Sequence, residues 1–356
     1  MIEYRIGVWG QFGGGGKIAD GQAVRTTIIT NELRRRYGVD AVHTVNTNAW
    51  RKNPLRFLLS SIKLLRKSVV FIIAPADNGF KVFVPILDFF NRFYKRRILY
   101  VVIGGFLPGL LKAKTKYVKM VNRFAGSFVQ TDNIRKDLAG LGVEKLHILS
   151  NPKRLNTMKE DEVKVIKGEK IKICVFSRIY ADKGVEDAIE AVKLANKKLG
   201  GEYVSLDMYG LVPESYKERL RELLQQNEGL AQYKGIIDYD KTVETLSSYF
   251  VMLFPTYYHG EGFPGNVIDA YNSALPIIAT DWLYNSDVVL DNKTGLLVPV
   301  KNPEALSDAI VKLYNNRELR QELAINSLRE APKYAPESVL AEFYELIDDH
   351  LPKRCH

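Results

Sequence analysis

The chain has 356 residues, of which 46% are hydrophobic and 26% are charged. This balance is typical of a globular protein, and the length suggests two domains at about 150 residues each. The two cysteines and five histidines provide neither a disulfide framework nor the spacing of a metal site, so a reducing compartment is expected.

The first residues, Met1 to Trp9, carry Glu3 and lack a long apolar stretch, so no signal peptide is expected. The longest uncharged apolar-rich segment, Ile98 to Leu111, contains three glycines and a proline. It is too short for a spanning helix, which needs about 20 residues. We therefore expect a cytoplasmic protein that is soluble or bound at the inner surface of the membrane.

The net charge of +10 is unevenly distributed along the chain. Residues 1–150 contain 25 Lys and Arg against 9 Asp and Glu, whereas the remainder contains 26 against 32. Two halves of opposite sign suggest two domains with different partners. A basic half favours nucleic acid, an anionic membrane or phosphorylated ligands.

Apolar runs and charged amphipathic stretches alternate along the chain. Strands are predicted in the first half at Tyr4–Trp9, Ala41–Val45, Val69–Ala74, Ile98–Ile103, Gly126–Gln130 and Leu146–Leu149. They are predicted in the second half at Ile171–Phe176, Ser205–Tyr209, Val251–Phe254, Ile277–Thr280 and Gly295–Val298. Helices are predicted at Gly21–Tyr37, Val185–Leu199, Glu214–Gln226, Lys241–Tyr249, Pro303–Asn315 and Pro336–His350. This order predicts an α/β protein with two doubly wound parallel-sheet domains and a boundary near Asn151–Lys170.

A glycine-rich segment, Gly10–Lys17, follows the first strand. Glycines let the backbone approach a phosphate, and the next helix N-terminus favours anions. The segment is not a Walker loop, because Gln11 and Ile18 replace the required Gly and Ser or Thr. It satisfies the loose dinucleotide pattern, but Asn46 and Asn48 stand where an acidic residue should close the second strand. A flexible surface turn is the remaining alternative.

Two cations follow the strand that opens the second half. Arg178 ends the strand and Lys183 comes five residues later, just before a helix. Both would lie at the carboxyl edge of a parallel sheet, where ligands bind in such folds. Fixed positive charges there would stabilise a leaving diphosphate without proton transfer. The alternative is a solvated strand end.

An acidic motif, His259–Ala270, follows the strand Val251–Phe254 and leads into a helix. We expect Glu261 in the loop and Asp269 about two turns into the helix. Two carboxylates at this spacing could contact different parts of one extended ligand, namely sugar and ribose hydroxyls. Glycines in the motif would bring backbone N–H groups close to that ligand.

The spacing from Glu261 to Asp269, with seven residues between, resembles the paired-acid signature of retaining glycosyltransferases of family 4. The resemblance extends to Phe176–Ala191 and to Gly295–Val298, and covers the C-terminal half almost throughout. The N-terminal half is matched mainly by the glycine loop. Asp269 replaces the usual Glu, and Asn285–Asp287 stands where the family often has Gly-Gly-x-Pro-Glu.

The resemblance implies the GT-B architecture of two Rossmann-like doubly wound parallel-sheet domains facing a central cleft. The acceptor-side domain would comprise residues 1–155, joined by a C-terminal helix at about 334–356. Residues 165–333 would form the nucleotide-sugar donor domain. The implied activity is transfer of a sugar, with retention of configuration, from a nucleotide-sugar to a glycan or polyprenyl-linked acceptor in capsule, exopolysaccharide or lipid-linked glycan biosynthesis.

The resemblance also implies roles for particular residues. Glu261 would contact the donor sugar, Asp269 the ribose, and Arg178 with Lys183 the diphosphate. The remaining donor-site residues implied are Gly13, Gly14, Gly15, Gly16, Gly210, Phe263, Pro264, Gly265 and Asn266. Asp20 is a candidate acceptor contact. The family uses no metal ion and no cofactor beyond the nucleotide-sugar, here expected to be a UDP-sugar. The family's usual sugar-contacting His is missing, because Ile103–Pro108 occupies its place.

Two basic amphipathic segments, Arg51–Ser68 and Leu110–Phe124, suit the surface of an anionic bilayer. The alternative is a core-facing apolar side with a solvated basic side. Two other functions stay open at this point. One is a GT-B-like nucleotide-sugar epimerase or sugar-phosphate synthase. The other is a nucleic-acid binding protein, although no such module is recognisable and the acidic half argues against it.

Overall fold

The computed structural model describes residues 4–12, 21–51, 53–163, 165–166 and 168–351. The chain divides into two compact units. Unit 1 contains the chain up to Lys153 and again from Tyr334 onward, and unit 2 is Arg154–Lys333. Each unit is built around one parallel sheet.

Unit 1 contains a six-stranded parallel sheet in the order β2-β1-β3-β4-β5-β6. The strands are β1 (Tyr4–Gly10), β2 (Val42–Asn46), β3 (Ser68–Ala74), β4 (Arg97–Val101), β5 (Gly126–Val129) and β6 (Leu146–Ile148). The helices between them are α1 (Gly21–Tyr37), α2 (Pro54–Lys67), α3 (Asp77–Tyr94), α4 (Leu107–Ala113), α5 (Lys116–Val121) and α6 (Asp132–Gly140).

Unit 2 contains a second six-stranded parallel sheet, in the order β12-β11-β10-β7-β8-β9. The strands are β7 (Ile171–Phe176), β8 (Val204–Tyr209), β9 (Ala231–Gly235), β10 (Met252–Phe254), β11 (Ile277–Thr280) and β12 (Gly295–Val298). The helices are α7 (Val185–Leu199), α8 (Lys217–Gln226), α9 (Thr242–Leu246), α10 (Gly265–Asn272), α11 (Pro303–Asn315) and α12 (Arg317–Glu330). Two parallel sheets with crossover helices are the doubly wound organisation that the sequence predicts.

Continuous apolar runs form the central strands because both faces of each sheet are covered. In β3 every residue except Val69 is buried, and in β4 only Arg97 is exposed. Such strands lack the alternation of half-exposed strands. The edge strand β9 does alternate, with Gln232 and Lys234 exposed. It has no continuous apolar run, which explains why the sequence does not predict it.

The last helices, α13 (Pro336–Val339) and α14 (Ala341–His350), belong to unit 1. The buried side chain of Phe343 meets the ring of Phe128 edge to face, with 4.7 Å between the ring centroids. Arg36 Nη2 on α1 lies 2.7 Å from Asp348 Oδ2 on α14. Helix α14 therefore completes the core on the α1 face of the sheet.

A buried arginine joins two strand ends of unit 1. Arg25 on α1 donates hydrogen bonds to the backbone oxygens of Val102 (2.7 Å) and Leu149 (2.5 Å). Burial lowers the pKa of its guanidinium to about 9. The segments that follow β4 and β6 are thus fixed to the helix that follows the glycine loop.

The basic segment Leu110–Phe124 differs from its prediction as one amphipathic helix. The structure has two short helices, α4 and α5, because Lys114 leaves the helical region with φ −140° and ψ 75°. Its bases therefore do not share one helix face, and Arg123 pairs with Asp88 at 2.5 Å. In the part of the chain that the structure describes, no helix combines the length and apolar character needed to span a bilayer.

Replacing Phe343 with Ala should lower the free energy of unfolding of unit 1 by about 3–5 kcal/mol, because the change leaves a cavity against Phe128. Urea unfolding followed by circular dichroism measures this. The control is Glu345→Ala on the exposed side of the same helix, which should change the value by less than about 0.5 kcal/mol. Equal effects of the two changes would contradict the assignment of α14 to the core.

Candidate functional site

The cationic segment and the acidic motif meet at the carboxyl edge of the unit 2 sheet. Strands β7 and β10 are parallel neighbours, and the loops that follow them carry Lys183 and Glu261. Lys183 Nζ lies 2.5 Å from Glu261 Oε2, and the two side chains are only 11% and 10% exposed. Thr256 Oγ1 donates to the same carboxylate oxygen at 2.9 Å. The two predicted residues therefore form one largely buried ion pair.

Aromatic rings complete the surroundings of this ammonium group. Lys183 Nζ lies 4.9 Å from the ring centroid of Tyr258 and 5.9 Å from that of Phe254. The face of an aromatic ring attracts a cation, most strongly where water is excluded. The carboxylate and the two rings together hold the positive charge at the strand ends.

Arg178 lies in the same loop as Lys183 but is exposed. Its Cζ atom stands 5.2 Å from the ring centroid of Tyr180. Burial raises the pKa of the Tyr180 phenol above its ordinary value, so this side chain stays neutral. The loop after β7 thus presents one buried and one exposed cation.

Two glycines allow the loops of this edge to pass close to one another. Gly184, with φ +70°, is the N-cap of α7, and a Cβ there would lie 2.1 Å from the backbone oxygen of Pro255. Gly210, with φ +140°, follows β8, and a Cβ there would lie 1.7 Å from the backbone oxygen of Ser177. Because neither position has space for a side chain, both require glycine.

Helix α10 begins later than the sequence predicts. Pro264 is its N-cap with extended backbone, so the helix starts at Gly265. The residue before a proline disfavours the helical region, which keeps Phe263 out of the helix. Asp269 therefore lies about one turn into the helix, and the prediction of two turns is wrong. Its side chain is buried, as are those of Phe263 and Pro264. Asn266 Nδ2 donates to the Phe176 backbone oxygen at 2.7 Å, which ties α10 to β7.

Sequence reasoning missed Thr256, which is fully buried behind the ion pair. Its backbone oxygen accepts a hydrogen bond from Thr280 Oγ1 at 2.5 Å, so the end of β11 supports it. Its position two residues after β10 was the available signal. Across the described residues, no group of three or more His, Cys, Asp or Glu side chains is arranged to hold a metal ion.

The predicted glycine-loop residues Gly13 to Gly16 and Asp20 lie outside the described residues. The start of the loop is described. Asn46 at the end of β2 accepts a hydrogen bond from Phe12 N (3.2 Å) and donates one to Phe12 O (2.7 Å). The amide that replaces the acid of a dinucleotide site therefore fixes the first residues of the loop.

Gln130 links two further strand ends of unit 1, and sequence reasoning missed it. Its Oε1 accepts a hydrogen bond from Gly104 N at 2.9 Å, and its Nε2 donates to Asn151 Oδ1 at 3.2 Å. The loop after β4, which stands in place of the family's histidine, is thereby joined to the end of β6. The signal in the sequence was an amide side chain at the last position of the predicted strand Gly126–Gln130.

Residues 156–329 match the family model of glycosyl transferases group 1. The match spans unit 2 almost completely and includes Arg178, Lys183, Glu261 and Asp269. Unit 2 is therefore similar in sequence to glycosyl transferases of group 1.

Most of the curated relatives that match this chain are named as glycosyltransferases, and one is named an exopolysaccharide phosphotransferase. A poly(ribitol-phosphate) alpha-N-acetylglucosaminyltransferase of Staphylococcus aureus is 27% identical over 67% of this chain and 47% of its own. An N,N'-diacetylbacillosaminyl-diphospho-undecaprenol alpha-1,3-N-acetylgalactosaminyltransferase of Campylobacter jejuni is 25% identical over 83% of this chain and 96% of its own. The chain spans about half the length of several curated relatives that it matches.

Among solved structures, the Anabaena protein HepE in complex with UDP and glucose superposes with a TM-score of 0.71. It is 14% identical, and the match covers 97% of this chain and 100% of HepE. This likeness concerns the fold. Two Rossmann-like parallel-sheet domains of the GT-B type, as the sequence predicts, are confirmed.

Replacing Gly210 with Ala should destabilise unit 2 by about 3 kcal/mol or more, because φ +140° suits only glycine and the new Cβ would meet Ser177. The matched control is Gly200→Ala, where φ is +79° and nothing lies within 4 Å. It should lose only the roughly 1–2 kcal/mol of left-handed backbone strain. Thermal unfolding of both variants checks the difference, and equal midpoints would contradict the close approach.

Replacing Lys183 with Met should destabilise unit 2 by about 3 kcal/mol, because a largely buried carboxylate loses its cation. Adding Glu261→Gln to this variant should restore part of the loss, since no unpaired charge then remains. Urea unfolding of both single variants and the double variant gives the coupling energy. Additive effects of the two changes would show that the ion pair does not form in solution.

Proposed function

We propose that this chain, whose second unit matches the family model of glycosyl transferases group 1, transfers a sugar from a UDP-sugar with retention of anomeric configuration. The acceptor is a glycan or a polyprenyl-linked saccharide, in capsule, exopolysaccharide or lipid-linked glycan assembly. The observation that carries this proposal is the buried Lys183–Glu261 pair at the carboxyl edge of the unit 2 sheet. The names of the relatives support it, because they specify N-acetylhexosamine transfer to polyol-phosphate and undecaprenyl-linked acceptors.

In this proposal Lys183 and Arg178 bind the donor diphosphate. Negative charge grows on the leaving diphosphate as the bond from the anomeric carbon to its oxygen breaks. Two fixed cations stabilise that charge without moving a proton. The bond to the acceptor oxygen forms on the same face of the sugar, and the acceptor proton passes to an oxygen of the leaving phosphate. No metal ion or further cofactor is needed for this step.

Glu261 binds the hydroxyl groups of the donor sugar. Its Oε2 atom accepts hydrogen bonds from Lys183 and Thr256, and among the described residues no donor contacts Oε1. The Oε1 atom is therefore the one offered to sugar hydroxyls, while Oε2 keeps the carboxylate in one orientation. Sharing one oxygen with Lys183 also connects the sugar contact with the diphosphate contact.

The remaining predicted residues surround the donor in the same proposal. Asp269 binds the ribose, and Gly210 adjoins the base. The segment Phe263–Asn266 contacts the sugar and the diphosphate through its main chain. Gly13 to Gly16 are proposed as further contacts of the diphosphate and Asp20 as a contact of the acceptor, and these residues lie outside the described part of the chain.

Unit 1 is proposed to contact the inner face of the cell membrane. Its sequence carries the excess of bases, 25 against 9 acids in residues 1–150. Anionic lipid headgroups attract such a surface within a Debye length. A peripheral cytoplasmic location would bring the enzyme to polyprenyl-linked acceptors, and no nucleic acid partner is involved.

Thermal unfolding with UDP, GDP, dTDP, ADP and CMP tests the donor site. A ligand that binds only the folded state adds about 2.7 kcal/mol at a hundredfold excess over its Kd. We expect UDP to raise the unfolding temperature and the other nucleotides to change it little. A well-folded protein that responds to none of them would contradict the proposal.

Glu261→Gln should lower turnover by about 100-fold while the protein still binds UDP, because the lost contact is made to the transferring sugar. Release of UDP from a UDP-sugar that also raises the unfolding temperature measures turnover. Glu228→Gln, an exposed acid of unit 2, is the matched control and should keep full activity. Nuclear magnetic resonance of the product then assigns the anomeric configuration, and an inverted linkage would overturn retention.

A further inference from the structure

An apolar groove lies between α2 and α3 on the face of unit 1 opposite α14. It encloses a cavity of about 230 Å³ whose wall is apolar. Residues that line it are Trp9, Phe57, Leu58, Ile62, Phe83 and Ile86. Apolar cavities of about 150 Å³ already accept a benzene-sized molecule. The groove is therefore large enough for a segment of hydrocarbon.

The two helices also expose apolar side chains along the groove. On α3, Val82, Phe89 and Phe93 recur at helical spacing and are 39%, 54% and 69% exposed. On α2, Leu55 and Leu59 are 68% and 60% exposed. The alternative interpretation of α2, an amphipathic helix with a core-facing apolar side, requires these two leucines to face the core. They face solvent instead. Exposed apolar side chains on the two helices that line a cavity form a patch of the kind that indicates a binding surface.

Positive charge borders this patch. Arg56, Lys63 and Arg66 are exposed on α2, and among the described residues no carboxylate forms an ion pair with them. The nearby Arg92 and Arg123, in contrast, are both paired with Asp88. A second copy of the chain on this face would bring like charges together. An apolar stripe bordered by cations is instead complementary to an anionic lipid surface.

We propose that the α2–α3 face of unit 1 inserts into an anionic membrane leaflet and that the groove holds one acyl chain of a phospholipid. This inference rests on the membrane contact proposed above and names the face and the ligand. It does not depend on sugar transfer. The bases on α2 contact the headgroups, while Leu55, Leu59, Phe89 and Phe93 enter the apolar layer.

Tryptophan fluorescence can report occupation of the groove directly. The chain has three tryptophans, of which Trp9 and Trp50 line the groove and Trp282 lies in unit 2. In a Trp282→Phe background, vesicles of phosphatidylcholine and phosphatidylglycerol with brominated acyl chains should quench the remaining emission. Vesicles of the same composition with unlabelled chains should leave it unchanged.

Two sets of variants separate the groove from the surface around it. Ser61→Leu fills the groove, because the Ser61 side chain lines it, and should abolish quenching while binding to vesicles persists. Phe89→Ser with Phe93→Ser changes only exposed side chains and should weaken binding without affecting folding. Unchanged thermal unfolding of each variant excludes misfolding as the cause.

Charge is tested with Arg56→Gln, Lys63→Gln and Arg66→Gln in one protein. Each base near an anionic surface contributes about 1 kcal/mol, so vesicle binding should weaken about 100-fold. The matched control replaces three exposed lysines of unit 2, Lys170, Lys172 and Lys197, with Gln and should bind nearly as well as the parent. Equal losses in both proteins would overturn the assignment of this face.

Three further outcomes would overturn the proposal. The first is absence of binding to anionic vesicles, and the second is binding without quenching. The third is loss of quenching when a small amount of unlabelled polyprenyl phosphate is added, because the groove would then prefer an isoprenoid chain. Binding of UDP, followed by thermal unfolding, is measured in the same samples. Failure of the lipid proposal is thereby distinguished from failure of the donor site.

Discussion

In a parallel sheet, every strand must be followed by a crossover that returns the chain from the carboxyl ends of the strands to their amino ends. All strand ends of one polarity therefore lie together, and residues distant in sequence become neighbours there. Lys183 and Glu261, 78 positions apart, meet because β7 and β10 are adjacent in the sheet. Arg25, Gln130 and Asn46 show the same principle in unit 1, since each joins loops that leave different strands.

A contribution to the free energy of folding does not explain the buried Lys183–Glu261 pair well. A fixed placement of charge explains it better. Desolvation of two charges offsets much of their attraction, so a buried pair contributes little net free energy of folding. Thr256 and the ring of Tyr258 nevertheless hold the pair in a single geometry. Glycine at positions 184 and 210 allows the surrounding loops to approach one another closely around the ion pair. Preorganised charge of this kind is what stabilisation of a leaving group requires.

The two faces of the unit 1 sheet are covered differently. The α1 face of its sheet is covered by α14, whereas the opposite face carries two helices that leave large apolar side chains in solvent. Helix α3 carries apolar side chains beyond its buried face, because Phe80, Phe83 and Leu87 are buried while Phe89 and Phe93 are exposed. Packing within unit 1 therefore leaves part of the apolar surface of these helices exposed to solvent.

The sequence by itself determined the fold class, because strands buried on both faces must be continuous apolar runs and crossover helices must be amphipathic. It also indicated Arg178, Lys183, Glu261 and Asp269, since glycines and charges after apolar strands mark a carboxyl edge. It did not predict β9 or the start of α10, which depend on edge pairing and on the Phe263–Pro264 backbone. Only the tertiary structure decided that Glu261 pairs with Lys183, that Thr256 supports them, and that Leu55 and Leu59 face solvent. The physical reason is that these contacts join elements far apart in the chain, and no local pattern encodes which strands become neighbours.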